Sequence, residues 1–346
     1  MMRQFSKYGA IIVIGVGIAW LSGCSREKDP VSSDPPAPQD LEWVKTAGPN
    51  AGAVLCLAFD SAGSLFAGTD SGVYKSPDKG QNWAPFTAGL PGNAVYALSV
   101  DANDRVYAGL DGSGLFRTPA GSDNWVNVGP VNRSVWTIAL NAAGHIFAAT
   151  SGGLYRSTDQ AATWTPANNG LGDSLVLSLA FGTSGEIYAG GSLKGVFRST
   201  DNGDSWSQTG LPIGVILTLA VDGEGRIFAG TLGAGLYYST NLATTWSWAL
   251  PANGFHPTVV YDVAANSDNF LFACGHGDGV YRSTTHGVNW EEKNANLTSK
   301  IVRCLALDRD ERLFAGSDSG FVYYTFNPTI NPTGSYPPLF PLPGGD

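Results

Sequence analysis

Six tryptophans, Trp83, Trp125, Trp164, Trp206, Trp246 and Trp290, recur at intervals of 42, 39, 42, 40 and 44 residues. Each closes a copy of one sentence, clearest from Val54 to Trp83 as VLCLAFDSAGSLFAGTDSGVYKSPDKGQNW. A fixed period of about forty residues with strand-like content admits few architectures, because each unit buries its apolar faces only against a neighbour. A propeller or a solenoid satisfies that condition. The 45 Gly and 20 Pro supply turns, whereas two Met and seven Glu leave little material for amphipathic helices. A chain of 346 residues ordinarily suggests two domains. Repetition of one unit predicts a single closed domain instead.

Each repeat parses into four strands. In the first, Val54–Asp60 is strand a, Ser64–Gly68 strand b and Val73–Ser76 strand c, with strand d beginning at Trp83. Copies of strand a start at Val54, Val95, Val135, Val176, Ile216, Val260 and Val302, which makes seven. The seventh copy stops at Thr325 without a strand d, while Trp43 lies 40 residues before Trp83. The expectation is an all-β, seven-bladed propeller of four-stranded blades over residues 41–325, its last blade completed by residues 41–46. Closing the ring removes exposed sheet edges.

Along strand a one column is bulky (Leu57, Leu98, Ile138, Leu179, Leu219, Val263, Leu305) and the next is small (Ala58, Ser99, Ala139, Ala180, Ala220, Ala264, Ala306). Both faces of each sheet are therefore expected to be buried, large residues against a small-residue face of the neighbouring blade.

The c–d hairpin carries the most specific motif. Ser76-x-Asp78-x-Gly80-x-x-Trp83 and Ser199-x-Asp201-x-Gly203-x-x-Trp206 are complete copies. A third keeps Asp159 and Trp164 with Ala161 for Gly, two more replace the Asp by Asn241 and Thr285, and Thr118–Trp125 is more degenerate. The Asp accepts backbone N–H groups across the turn, the Gly permits positive φ, and the Trp is expected to cover the hairpin. On these residues the chain resembles BNR (Asp-box) propellers. That group includes sialidases, xyloglucanase-type glycosidases, sortilin-type receptors and a photosystem assembly factor. The b–c segments, such as LFAGTDSGVYKS, also resemble propellers of two-component regulators. The motif is structural wherever it occurs, so it implies fold more than function.

The first residues have another purpose. Arg3 and Lys7 precede an apolar run, Ala10 to Trp20, and then Leu21-Ser22-Gly23-Cys24. This looks like a bacterial lipoprotein signal over residues 1–23, with lipidation at Cys24; the apolar run is short for a membrane span. Ser25 after the Cys favours the outer membrane, by resemblance to enteric sorting. Residues 24–40 read as a polar, Pro-rich flexible tether and residues 326–346 as a Pro-rich tail. Without residues 1–23 the balance is 18 basic against 29 acidic, a net of −11. An acidic body with no basic run argues against nucleic acid and against electrostatic docking on anionic lipid. The expected membrane contact is covalent, and the propeller is expected to be monomeric.

With strands alternating in direction, the d–a and b–c connections share one side of the disc, the usual binding surface of a propeller. The second residue of strand a varies most there: Leu55, Tyr96, Trp136, Leu177, Leu217, Tyr261 and Arg303. Aromatic and cationic residues on a rim stack on sugars or grip a carboxylate; inter-blade packing is the plainer reading. One sector breaks the rhythm. The connection Pro251–Thr258 is long and holds Phe255 and His256, Asp262 stands where other blades have Cys, Ala, Thr or Ser, and His276, Asp278, Lys300 and Arg303 follow. These form the candidate ligand site, together with Tyr96, Trp136 and Tyr261. The His and Asp spacing fits no metal template, so no metal or other cofactor is expected.

A sialidase needs an arginine triad, yet Arg117, Arg156, Arg198 and Arg282 share one repeat column and Arg105, Arg226 and Arg312 another. Arg309 lies in the a–b turn as well, which leaves Arg133 and Arg303 as irregular positions. Glycosidases otherwise need two carboxylates across a cleft, but Glu186, Glu224 and Glu311 lie in a–b turns and Asp70, Asp111 and Asp318 recur as turn formers. Cys56, Cys274 and Cys304 read as buried small hydrophobes. The function this favours is a lipid-anchored, non-catalytic binding or scaffold module of the envelope with a protein or glycan partner. A glycan-active hydrolase and a stand-alone sensor are the alternatives.

Overall fold

A computed structural model describes residues 40–325, apart from 120, 121, 131, 173, 174, 212, 213 and 250. The expected signal, Cys24, nearly all of the tether and the tail lie outside the described residues. Seven separate four-stranded sheets are present, each antiparallel with strands in the order a-b-c-d. The first strands, Val54–Phe59, Val95–Val100, Val135–Leu140, Val176–Phe181, Ile216–Val221, Val260–Ala265 and Val302–Leu307, start where the repeat predicts. Each packs beside the next, and the series returns from the seventh blade to the first. The ring is closed by Trp43–Pro49, which pairs with Phe321–Thr325 and completes the last blade.

Large-against-small packing accounts for the dense interior. Every strand b is buried along its whole length, as in Leu65–Thr69 and Ile227–Thr231. Cys56 Sγ occupies the space that a Cβ on Gly68 would need, and Thr218 does the same over Gly230. A larger residue at either glycine would push neighbouring blades apart. The fourth strands of blades 1–6 are short. Each starts one residue after its Trp, as in Ala84–Pro85 and Glu291–Glu292, and is two exposed residues long. The closure strand, at seven residues, is the exception.

The tryptophans do more than cover their own hairpins. Trp125, Trp164, Trp206 and Trp43 donate Nε1–H to Phe86, Val128, Ala167 and Lys293 carbonyls of the preceding blade, at 2.7–2.9 Å. Trp246 and Trp290 bond instead within their own hairpins, to Ala243 and Gly287.

In the hairpins, Ser76, Ser157 and Ser199 donate to Asp78, Asp159 and Asp201, and those carboxylates accept the N–H of Asn82, Thr163 and Ser205. Bonds from Thr163 and Ser157, and from Ser205 and Ser199, hold Asp159 and Asp201 down at about 2. Asn241 and Thr285 accept the equivalent backbone N–H groups, so the degenerate copies keep the geometry.

The residue before the hairpin glycine position takes left-handed backbone and reaches back to the preceding blade. Lys79 pairs with Asp308 and Asp310, Gln160 accepts from Arg105, Asn202 meets Asn141 and His145, and His286 meets Arg226. The blade 4–5 seam lacks this latch. There the position is Leu242, 46% exposed, and Arg198 turns to Glu186 of its own blade. Among the described residues one hydrogen bond crosses that seam, from Gly210 N–H to the Ala243 carbonyl.

Candidate functional site

On the side of the d–a and b–c connections, here the upper side, each blade repeats one device. The residue after strand b donates its N–H to the carbonyl preceding strand a: Asp70 to Ala53, Asp111 to Ala94, Ser151 to Ser134, Ser192 to Leu175, Leu232 to Val215, His276 to Val259 and Asp318 to Ile301. Every strand a also carries a register shift at its second residue. A bulge at this point takes the side chain out of the strand's regular alternation. Leu55, Tyr96, Leu177, Leu217 and Tyr261 are nonetheless buried, and Trp136 and Arg303 are half-buried.

Three blades join these two positions through side chains. In blade 2, burial and then the charge of Asp111 raise the Tyr96 hydroxyl to about 12. Asp111 also accepts from Ser134 Oγ at 2.6 Å. In blade 6 the Tyr261 hydroxyl lies 3.1 Å from His276 Nδ1. In blade 7 Arg303 binds Asp318 through Nε at 2.9 Å and Nη2 at 2.7 Å. The Arg303 guanidinium also lies 4.8 Å from the centre of the Tyr261 ring. Asp318, Arg303, Tyr261 and His276 thus form one connected group across blades 6 and 7, with His276 open to solvent. Each member fixes the rotamer of the next, and such preorganisation lowers the ordering cost of binding.

The other expected site residues are placed differently. Phe255 is 2% exposed and packs on Tyr281 and Trp290, which makes it core of blade 6. Asp262 is 4% exposed and accepts from Leu305 N–H at 2.9 Å, Val263 N–H at 2.8 Å and Thr218 Oγ1 at 3.3 Å. Burial raises its carboxyl to about 7, against those three bonds. It joins blades 5, 6 and 7 from within. His256 is exposed, and nearby Lys300 and Asn294 hold the Glu292 carboxyl low. Asp278 accepts from Asn294 through its backbone carbonyl. Cys56, Cys274 and Cys304 are free and buried.

Asp318 is the residue that sequence reasoning missed, taken for a turn former although it holds Arg303. Its signal was present: Tyr96 and Asp111, Tyr261 and His276, and Arg303 and Asp318 are each 15 residues apart. A groove of about 540 Å³ on the opposite side, at the blade 2–3 seam, is lined by Arg105, Arg117 and Asp159. Its polar groups are spent internally, Arg105 on Asp101 and Gln160, Arg117 on the Gln160 carbonyl, and Asp159 on its hairpin.

No protein-family model matches the chain. A xyloglucanase of Hypocrea jecorina (strain QM6a) is 29% identical over 187 residues, spanning 51% of this chain and 22% of that protein. Among solved structures, the extracellular domain of the one-component system BT4673 of B. thetaiotaomicron superposes with TM-score 0.70 at 19% identity, over 82% of this chain and 40% of that one. YCF48 bound to D1 peptide gives 0.67 at 16%, over 83% and 95%. The xyloglucanase of Xanthomonas campestris gives 0.67 at 19%, over 81% and 53%. The shared property is the propeller fold.

Proposed function

We propose that this chain is a binding propeller of the bacterial envelope, held by lipid at Cys24 and presenting its upper side to a protein segment. The observation that carries the reading is the interlocked group Asp318–Arg303–Tyr261–His276, a rigid polar surface with one open imidazole. YCF48 supports it, because that propeller carries a peptide and this chain matches 95% of its length. The upper-side carboxylates are engaged in positioning: Asp318 on Arg303, Asp111 on Ser134, Asp70 on Ala53 N–H. The outer membrane is the proposed location, on the reading of Ser25.

Affinity capture from intact envelopes, comparing wild type with a His276→Ala/Arg303→Ala variant of unchanged circular dichroism, tests the site. Loss of a partner in the variant is the expected result; identical partner sets would refute it. A second reading, a glycan-active hydrolase, draws on the likeness to a xyloglucanase. Release of reducing ends from xyloglucan by the purified chain would establish that reading in place of the first.

A further inference from the structure

The upper side is electrically lopsided. Where the b–c connection begins, blades 7, 1 and 2 place Asp318, Asp70 and Asp111, and blade 6 places His276 followed by Asp278. Blades 3, 4 and 5 place Ser151, Ser192 and Leu232 there instead. The cations divide the opposite way. Arg303 is neutralised by Asp318 and Lys300 by Glu292. Arg133 and Lys194 are both exposed and, among the described residues, have no carboxylate partner. The Arg133 guanidinium lies against the bare backbone of Gly152 in blade 3, in the space a Cβ would fill, and the Lys194 ammonium lies beside Gly172 at the entry to blade 4. Asp111, the acid tied to the residue after Arg133, is held by Ser134 Oγ. Apolar surface accompanies the two cations: Leu193, next to Lys194 in the chain, is 55% exposed, and Trp136, three residues after Arg133, is half-buried.

Two exposed cations with no carboxylate partner among the described residues, on a chain of net charge −9 and beside apolar groups, select a ligand of complementary pattern. We infer that the arc over blades 3 and 4 binds the acidic end of an extended peptide, its carboxylates on Arg133 and Lys194 and its apolar side chains on Trp136 and Leu193. The rest of the peptide then runs toward the acidic arc of blades 6, 7, 1 and 2. That polarity follows from the charge layout, because the reversed ligand sets carboxylates against Asp70 and Asp111, which have no ion pair among the described residues. The inference rests on the upper side being the binding surface.

The experiment is selection of a displayed random 12-residue peptide library on the purified propeller at low ionic strength. Wild type is expected to enrich Asp and Glu at one end of the peptide together with apolar residues. Arg133→Glu/Lys194→Glu, checked for unchanged thermal unfolding, is expected to reverse the preference to Lys and Arg and to weaken the selected acidic peptides by about tenfold or more. Arg309→Glu, an exposed a–b turn residue on the opposite side of the disc, serves as the control for added negative charge and should keep the acidic preference. Peptides enriched without an acidic end, or an acidic preference that survives the charge reversal, overturn the inference and leave the proposed function standing. Failure to enrich any peptide overturns both.

Discussion

The seam between blades 7 and 1 and the seam between blades 4 and 5 come from the same repeat and are built very differently. At the first, Lys79 bridges Asp308 and Asp310 at 2.8 Å each, Ala47 N–H reaches the Gly80 carbonyl, and the neighbouring outer strand is seven residues long. At the second, Leu242 takes the latch position, Trp246 bonds to its own hairpin, and Arg198 turns inward to Glu186. Blade 4 shows why. Its a–b turn has Gly182 where other blades carry Asp or Asn, and the Glu186 carboxylate fills the vacated space. Arg198 follows that carboxylate and is lost to the next blade. The ring therefore has a fastened side and a loosely fastened side, and local opening is expected to begin at blades 4 and 5.

The contrast is broken most strongly at the closure strand. Trp43→Ala removes a ring that is 2% exposed and its bond to Lys293, at an expected cost of about 3–5 kcal/mol in urea unfolding. Trp246→Ala, half-buried and bonded within its own hairpin, should cost roughly 1–2 kcal/mol. Because Trp43 reaches back to blade 6, equal costs would show that the closure strand is fastened to its neighbour no better than blade 5 is to blade 4.

Next in size is Asp262, which ties blade 6 to both neighbours. Its folded pKa, raised to about 7, means that the unfolded chain loses this proton first. Stability should thus fall as pH rises from about 4 to about 7, by up to about 4 kcal/mol, and then level off. Asp262→Asn should flatten that slope in unfolding curves taken across the window.

Smaller still, Lys79→Ala should cost about 1–2 kcal/mol, since the Asp308 side chain is 2% exposed and loses its cation. The smallest expected effect sharpens the comparison: Leu242→Gln restores a latch donor and should raise stability by roughly 0.5 kcal/mol. Hydrogen exchange in the Ile216–Val221 strand should slow in the same variant; unchanged exchange would count against the weak seam.

The architecture was legible because a repeat averages out local noise. Seven copies of one column fix the strand starts even where a single copy, such as the hairpin of blade 2, is degenerate. Depth was harder to read. Tyr261 and Asp262 are consecutive on one strand, and the sequence marks both as irregular without saying that Asp262 lies between blades while Tyr261 reaches His276. Phe255 likewise looked like part of a long loop and proved to be core, because loop length says nothing about what packs beneath it. The cross-blade bonds of the tryptophans were hidden for a similar reason: a ladder within one chain does not reveal that Trp43, Trp125, Trp164 and Trp206 bond to the previous blade.

One consequence of the closure concerns orientation. Trp43 pairs with Thr325, so the chain enters and leaves the disc at neighbouring points, where the other blades carry their c–d hairpins. A chain arriving from Cys24 meets the disc on that lower side. The proposed attachment at Cys24 therefore joins the disc on the side of the hairpins, and the polar arcs occupy the opposite side.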